Sequence, residues 1–346
     1  MKKSFKCIMF LVLLGILFPM MTGCSDQETL YVYNWGDYID ESVLRDFEEE
    51  FDVRIVYETY ATNEDMIVKI RSGGSRYDVA IPSDYMIERM INEELLREIN
   101  MDRITNYHYI KEDLKNLDFD PDNRYSVPYM WGTVGILYNT TMVDDVVDSW
   151  EILWDETYEG DILMMDSQRD SIGITLLKLG YSLNSRDEDE LEEAKQELIR
   201  QKPLVLAYVV DEGKDMMVAE EAALAVVWSG DAVIMMEENE DLEYVIPKEG
   251  SNLWFDNMVI PTTSENPELA EEFINFMTRP EIAQRNAEYI GYSTPNLGAM
   301  ELLDDEITGN PAAYPPDEML ENLEVFQDPG DFLSVYDRIW TEVKAH

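Results

Sequence analysis

The sequence predicts an α/β fold, because strand-like and helix-like segments alternate along it. The segment "LYVYNW" at 30–35 is an apolar alternating run typical of a strand. The segment at 41–51 places Val43, Leu44 and Phe47 on one face of a helix. Further segments repeat this alternation downstream. Strands that alternate with helices in this way indicate parallel βαβ units with right-handed crossovers.

Capping and breaking residues delimit several of these elements. Asp40 is the predicted N-cap of the first helix, Gly73–Gly74 closes the second, and Pro280 breaks the last pair. The further predicted strands are at 53–60, 77–83, 161–166, 204–209, 222–228 and 257–261. The further predicted helices are at 63–74, 84–96, 171–180, 187–201, from 229 onward, and at 267–291 as two helices.

The composition is that of a large and very acidic globular protein. A chain of 346 residues with 45% apolar residues is long enough for two domains. The formal net charge is −47. A field of this sign repels nucleic acid and anionic lipid head groups and attracts cations, so no nucleic-acid partner is expected. Many exported proteins are acidic for solubility, so the charge by itself does not decide whether the ligand is a cation.

The first 23 residues have the pattern of a secretory signal. Three lysines precede an apolar stretch at 8–21, which is too short to span a bilayer, and small residues follow. The next residue is Cys24, and "MTGC" resembles the lipobox of bacterial lipoproteins. We therefore expect residues 1–23 to be removed, Cys24 to carry a lipid, and residues 24–29 to form a tether. An ordinary signal followed by a chance cysteine is the alternative.

Removal of the signal would change the charge and the cysteine count. Residues 1–23 hold three lysines and no acidic residue, so the formal net charge would become −50 instead of −47. Cys7 would leave as well, and the single cysteine that remains excludes an intramolecular disulfide.

Aromatic and acidic residues recur where predicted strands end. In open parallel sheets, ligands bind beyond the carboxyl ends of the strands. The residues at or just after these ends are Trp35, Ser83, Tyr85, Asp166, Ser167 and Trp228, and Trp131, Trp254 and Asp256 lie in segments that join the two halves of the chain. Aromatic faces attract ammonium groups, and a buried ammonium needs a paired carboxylate. Asp37, Asp170 and Asp256 are the candidate partners. The alternative is that each tryptophan only fills a core.

Other kinds of site have weaker support. Two histidines, His108 and His346, suffice neither for a zinc cluster nor for a Ser-His relay. The segment "DFDPDN" at 118–123 begins like a calcium loop, but it has Asn123 where glycine is needed and Tyr129 where glutamate is needed, which favours a turn. We expect no metal, no cofactor and no catalysis.

Seven blocks of sequence occur together in one order. They are "YNWGDYI", "YDVAIPSDY", "YSVPYMWGTVGILYN", "VVWSGDA", "VIPKEGSNLWFDNMVIP", "FINFMTRPEIAQ" and "GYSTPN". Together they resemble the spermidine/putrescine-binding proteins of bacterial polyamine ABC transporters. The similarity runs from about Leu30 to Asn296 and is weaker beyond.

The resemblance implies a two-lobed periplasmic-binding-protein fold of type II. Each lobe is then a mixed, mostly parallel sheet flanked by helices, and a hinge joins the lobes. Motif matching places lobe 1 at 27–133 plus 257–303, and lobe 2 at 134–256 plus 304–346. The ligand lies between the lobes of such proteins and drives their closure.

The resemblance also assigns binding residues. It places Trp35, Tyr38, Ser83 and Tyr85 around the polyamine, and it places Trp228 and Trp254 on either side of the methylene chain. Asp256 is then the partner of an amine, Tyr292 completes the aromatic wall, and Gln327 matches an amide that contacts an amine.

The sequence departs from the family pattern in two places, which involve three residues. Gly36 replaces a hydroxyl residue, and Ser167 and Asp170 replace an Asp and a Glu that bind the far ammonium. The choice between spermidine and putrescine therefore stays open, with Asp37 or Asp166 as hypothetical compensating acids.

The expected protein is a monomeric, lipid-anchored receptor on the outer face of the bacterial cell membrane. It captures a polyamine and delivers it to ABC permease subunits. Two alternatives stay open at this point. One is a receptor of the same fold for another amine, thiamine or a metal ion, and the other is an exported carbohydrate-active enzyme with paired acids.

Overall fold

A computed structural model describes residues 27–74 and 76–346. The predicted signal and Cys24 lie outside these residues. The nine strands form one mixed sheet in the order β2-β1-β3-β9-β4-β7-β5-β6, with β8 paired to β4. The strands are β1 Thr29–Trp35, β2 Arg54–Tyr60, β3 Val79–Ala80, β4 Ser126–Asn139, β5 Ile162–Met165, β6 Val205–Val209, β7 Leu224–Trp228, β8 Leu242–Val245 and β9 Leu253–Val259.

The sheet is parallel at both ends and antiparallel in the middle. β1 pairs with β2 and β3 in parallel, and β5 pairs with β6 and β7 in parallel, as the βαβ pattern predicts. β4 instead pairs antiparallel with β7, β8 and β9. Its first part, 126–133, pairs with β9, and its second part, 134–139, pairs with β7 and β8. One strand therefore links the two parts of the sheet.

The helices cover the sheet, and α1–α5 and α7–α9 correspond to the predicted helical segments. They are α1 Glu41–Phe51, α2 Asn63–Arg71, α3 Asp84–Asn92, α4 Gln168–Lys178, α5 Glu188–Gln201, α6 Glu212–Val218, α7 Ser229–Glu238, α8 Pro267–Met277, α9 Pro280–Ile290, α10 Leu297–Met300, α11 Asp305–Thr308, α12 Asp317–Leu320 and α13 Leu333–Ala345. Short 3-10 turns fill several of the connections.

Local sequence explains where these helices begin and end. Asp40 is the N-cap of α1, as predicted, and its carboxylate accepts a hydrogen bond from the amide of Ser42 at 2.8 Å. The break at Pro280 is confirmed, because this proline starts α9. Gly291 ends α9 with a φ of +80°, a conformation that glycine adopts without strain.

Several elements differ from the sequence-based expectation. β8, α6 and the short helices α10, α11 and α12 were not predicted, and β9 begins at Leu253 instead of Asn257. The predicted strand at 77–83 contains only the two residues of β3, and β4 and α13 were not predicted. β4 is buried along almost its whole length, so it lacks the in-out alternation that marks a half-exposed strand. Its proline and two glycines also resemble turn residues.

The apolar core lies against the faces of the sheet. One large buried cluster includes Val134, Trp150 and Phe273, and a second includes Tyr60, Trp131 and Phe255. Within residues 27–74 and 76–346, we find no helix with the length and apolar character needed to cross a membrane.

Candidate functional site

A buried carboxylate lies where three distant segments of the chain meet. Asp256 is on β9 and its side chain is largely enclosed. Its Oδ1 accepts a hydrogen bond of 2.7 Å from the hydroxyl of Ser83, and its Oδ2 accepts one of 2.8 Å from the hydroxyl of Tyr38. Ser83 and Asp256 also form an isolated antiparallel backbone bridge. The end of β1, the start of α3 and the centre of β9 are thereby joined.

Burial raises the pKa of Asp256 to about 6, and the hydrogen bonds from Ser83 and Tyr38 oppose that rise. The carboxylate is therefore largely ionised at neutral pH. Both of its side-chain partners are neutral hydroxyls. An ionised group that is enclosed in this way binds a cation favourably, because the cation supplies the charge that the hydroxyls lack.

Aromatic rings surround this carboxylate. The ring centroids of Tyr38 and Tyr292 are 5.6 Å apart, and those of Tyr292 and Trp254 are 5.0 Å apart at nearly a right angle. The Nε1 of Trp254 is buried without a hydrogen-bond partner among the described residues. Burial raises the pKa of Tyr38 and Tyr292 well above that of free tyrosine, so both stay neutral. The wall is apolar, and its rings are suited to a cation with a hydrocarbon body.

Two glycines make this aromatic packing possible. A Cβ at Gly132 would overlap the ring of Trp254, and a Cβ at Gly230 would overlap the ring of Tyr292. Gly132 is on β4 and Gly230 is in the first turn of α7. Only glycine, which has no Cβ, leaves enough space for a ring to approach the backbone this closely.

Asn63 was not identified from the sequence, although it orders two predicted site residues. Its amide donates 3.1 Å hydrogen bonds to the hydroxyls of Ser83 and Tyr85. The hydroxyl of Tyr85 in turn donates to Oε1 of Glu64 at 3.2 Å. Asn63 is the first residue of α2 and is nearly fully buried. A polar residue beside an N-cap threonine is unremarkable in sequence, so no local signal marks it.

Asp84 is a second missed residue, and it fixes the position of α3. It is fully buried, and its carboxylate accepts hydrogen bonds from the amide of Tyr85 at 2.6 Å and from the amide of Phe255 at 3.0 Å. The start of α3 is thereby attached to β9 next to Asp256. Burial raises the pKa of Asp84 well above its usual range. An acid inside the block "YDVAIPSDY" was the available signal.

A further carboxylate lies at the start of α4. Ser167 is the N-cap of this helix, and its hydroxyl donates to Oδ2 of Asp170 at 2.6 Å. The Oδ1 of Asp170 is buried and has no hydrogen-bond partner among the described residues. Burial raises the pKa of Asp170, and the hydrogen bond from Ser167 and the positive charge of Arg169 oppose that rise. This oxygen is available to a donor that is not part of the described chain.

Arg169 connects α4 with Tyr85 and with the segment before α13. Its guanidinium lies 4.4 Å from the ring centroid of Phe326 and 5.5 Å from that of Tyr85. It also donates to the backbone carbonyl of Gln327 at 3.3 Å. The side chain of Gln327 is exposed. The structure therefore holds Gln327 near Tyr85 through its backbone.

The remaining predicted residues lie in different surroundings. Trp35 is adjacent to the site: its Nε1 donates to the carbonyl of Ile81 at 2.9 Å, two residues before Ser83. Trp228, at the end of β7, is partly exposed. Asp37 is exposed, has a φ of +49°, and lies in the turn after β1.

Trp131 and Asp166 are not brought to Asp256. Trp131 is paired with Phe255, and side chains alternate along a strand, so its ring lies on the face of the sheet opposite to Asp256. It packs against Tyr314 there, with ring centroids 6.3 Å apart. The carboxylate of Asp166 already has a cation, the Nζ of Lys344 at 2.8 Å. This pairing leaves Asp166 a poor substitute for a missing ligand acid.

Metal coordination has no support in the described part of the chain, which contains no group of three or more His, Cys, Asp or Glu side chains able to hold an ion. The chemistry of the site is that of separate carboxylates, each beside aromatic rings or hydroxyls.

Comparison with known proteins identifies the family of the chain. Residues 42–315 match the model of the bacterial extracellular solute-binding protein family. The spermidine/putrescine-binding periplasmic protein of Escherichia coli is 37% identical over 323 residues, which cover 93% of either chain.

Two solved structures resemble the fold closely. One is a putative spermidine/putrescine ABC transporter protein from Listeria monocytogenes, with a TM-score of 0.89 and 47% identity, covering 92% of this chain and 99% of the other. The second is the spermidine/putrescine ABC transporter substrate-binding protein of Streptococcus pneumoniae, with a TM-score of 0.82 and 46% identity over the same shares. Such neighbours have the two-lobed fold, which confirms the predicted fold class.

These receptors bind solutes for transport and are not enzymes. On the evidence of sequence and fold, the chain belongs to the bacterial extracellular solute-binding protein family, among the relatives named spermidine/putrescine-binding proteins.

Proposed function

We propose that the protein captures a polyamine, spermidine or putrescine, outside the cytoplasm and delivers it to an ABC permease. The observation that carries this proposal is Asp256: an enclosed carboxylate with a pKa of about 6, bonded only to hydroxyls and next to Tyr38, Tyr292 and Trp254. A protonated amine satisfies the carboxylate, and its methylene chain is suited to the aromatic wall. The names of the relatives support the same ligand class.

A flexible amine with several charges needs more than one acid. Asp170 supplies a second carboxylate, with one oxygen unpartnered. The contacts that connect the two acids run through Tyr85 and Arg169. We propose that one ammonium binds at Asp256 and another at Asp170, and that the methylene groups lie along the aromatic residues between them.

The division of the chain into lobes is part of the same proposal. For lobe 1 at 27–133 plus 257–303 and lobe 2 at 134–256 plus 304–346, the boundary at 133/134 is supported by the change of partner along β4 after Thr133. The boundary at 256/257 falls inside β9, whose residues 253–259 all pair with the first part of β4, so β9 as a whole goes with lobe 1. Tyr292 of the first lobe lies on Gly230 of the second, so the aromatic wall forms where the lobes meet. Ligand binding then favours closure, because it adds contacts that only the closed arrangement provides.

Two features bear on delivery. We propose that Cys24 carries a lipid and retains the monomeric receptor at the outer face of the membrane. Replacement of this residue, Cys24→Ser, should release the protein into the medium of the expressing cells, which fractionation would detect. The acidic surface should accelerate capture of a cation, and stopped-flow association rates should fall as salt rises.

The test of the ligand class is a panel measured at fixed salt. Putrescine, spermidine, spermine, thiamine and ferric ion are compared first by thermal shift and then by titration calorimetry. A ligand that binds only the folded state raises the unfolding temperature by mass action. We expect spermidine or putrescine to give the largest shift. A larger shift with thiamine or ferric ion would refute the polyamine assignment and leave the fold assignment intact.

A further inference from the structure

An acid that the family resemblance does not assign lies next to the aromatic wall. Asp231 is in the first turn of α7, three residues after Trp228. Its side chain is only 15% exposed, and its Oδ1 is 2.8 Å from the Nζ of Lys214. Lys214, on α6, also lies 3.5 Å from Oδ1 of the exposed Asp211. Asp231 therefore already has an ammonium partner that the chain itself supplies.

The charge of Asp231 acts on Tyr292, which is part of the proposed ligand site. This ring packs on Gly230, the residue before Asp231. Burial is the main cause of the raised pKa of Tyr292, and the charges of Asp231 and Asp256 add to it. Both acids are therefore close enough to Tyr292 to act on its hydroxyl. A ligand ammonium beside Tyr292 would be exposed to Asp231, and also to the like charge of Lys214.

A small cavity is lined by the ion pair and by one residue of the proposed ligand wall. Its lining includes Lys214, Asp231, Trp228, Met165 and Val209. Three of these residues lie at the carboxyl ends of β5, β6 and β7, which are the parallel strands of this part of the sheet. Parallel strands commonly place ligands at this edge. Trp228 belongs both to this cavity and to the proposed ligand wall.

We propose that Lys214 is a specificity-determining residue, whose ammonium occupies the carboxylate of Asp231 and so limits the number of ligand charges that the site accommodates. The inference rests on the proposed polyamine function. With Lys214 in place, Asp231 is not open to the ligand, and Asp256 and Asp170 are the two buried acids that match the two ammonium groups of putrescine. A third ammonium, as in spermidine, would meet the positive charge of Lys214 beside Asp231 instead of a free carboxylate there.

The experiment measures the ratio of spermidine to putrescine affinity by calorimetry at pH 8 and fixed salt. Lys214→Met removes the competing charge while retaining an apolar stem of similar length, and Lys214→Gln is a second neutral variant if the first does not fold. Lys214→Arg retains the charge. Lys248→Met removes an equal charge from an exposed pair with Asp148, and it controls for the change in overall field.

In the Lys214→Met variant we expect the spermidine-to-putrescine affinity ratio to rise about tenfold, which is the scale of one like charge a few ångströms from a ligand ammonium. The ratio should stay near the wild-type value in Lys214→Arg and in Lys248→Met. Adding Asp231→Asn to Lys214→Met should abolish the gain, because the freed carboxylate is then absent.

The outcomes separate the inference from the function on which it rests. If wild-type protein binds both amines and Lys214→Met leaves their affinity ratio unchanged, Lys214 is only a structural partner of Asp231 and the inference is overturned. If wild-type protein binds neither amine, the proposed function fails and the inference fails with it.

Discussion

The hydroxyl of Tyr38 donates a 2.8 Å hydrogen bond to the carboxylate of Asp256, although 218 positions separate the two residues in the chain. The bond joins the turn after β1 to the central strand β9. Tyr129 supports it from behind, because its own hydroxyl donates to the backbone carbonyl of Tyr38 at 2.8 Å. The position of the site's main acid therefore depends on contacts between remote segments.

Replacing Asp256 by asparagine should weaken polyamine binding by about 2 kcal/mol or more, because a buried ammonium is left without its counter-ion. Asparagine has nearly the same shape, so the aromatic wall should remain in place. Titration calorimetry on Asp256→Asn measures the loss, and the exposed Asp148→Asn is the matched control. Equal affinities for Asp256→Asn and wild type would exclude Asp256 as the ammonium partner.

Polyamine affinity should fall as the pH drops below about 6, because Asp256 becomes protonated and a neutral carboxyl attracts the ammonium much less. Ser83→Ala removes a hydrogen bond that favours the ionised form. The fall in this variant should therefore begin at a higher pH. Calorimetric titrations between pH 5 and 8 give both profiles. Superimposable profiles would show that another group controls the pH dependence.

In the ligand-free protein, the buried carboxylate of Asp256 should lower the free energy of unfolding at neutral pH. The folded-state pKa of about 6 exceeds the ordinary value of 3.8, so the folded state binds more protons between these values and its free energy of unfolding falls as pH rises through that range. Relative to Asp256→Asn, the wild type should lose about 2 kcal/mol between pH 4.5 and 7. Urea unfolding at each pH measures the difference, and a constant difference would contradict it.

Gly230→Ala should reduce affinity at least about tenfold, because the added methyl group overlaps the ring of Tyr292 and moves it from the aromatic wall. Gly74→Ala is the control, since Gly74 lies outside the site and its Cβ would meet only the Oγ of Ser72, at an ordinary 3.9 Å. Calorimetry compares the two variants, and thermal unfolding checks that both fold. If the two bound equally well, Tyr292 would have no part in the site.

Trp228→Leu should weaken binding by about 0.5 to 2 kcal/mol, the range of one ammonium–aromatic contact. The unfolding temperature should change little, because Trp228 is partly exposed at a strand end. Trp340→Leu, on α13 next to Tyr208, changes a partly buried tryptophan in a different place and should leave affinity unchanged. Equal affinity losses in the two variants would point to a general effect of tryptophan removal.

Local sequence predicted much of the fold because its signals are local. The cap at Asp40, the apolar face of α1 and the break at Pro280 each depend on neighbours within one or two turns, and the structure agrees at all three. β4 was missed because its pairing with β7, β8 and β9 depends on residues about 90 to 130 positions away. Burial on both faces removed the alternation that would have revealed it.

The candidate site was predictable in part. The family motifs named Tyr38, Ser83, Asp256 and Tyr292, and the structure places these side chains together. The sequence did not separate Trp131 from them, because the face on which a strand residue lies is set by register, and register depends on the partner strand.

Supporting residues were missed for a related reason. Asn63 and Asp84 act through hydrogen bonds to segments that are remote in sequence. No local signal marks Asn63, and the signal for Asp84 was its place inside the block "YDVAIPSDY". A buried polar side chain is recognisable only once the fold has buried it.

The continuity of β4 has a mechanical consequence. Its fourteen residues pass from one half of the molecule to the other without a break in the strand, with an irregular register only between Pro128 and Met130. A change in the angle between the halves must therefore twist a hydrogen-bonded ribbon instead of swivelling a loose linker. Such a ribbon resists deformation more than a loose linker does, so the two parts of the sheet are mechanically coupled along β4.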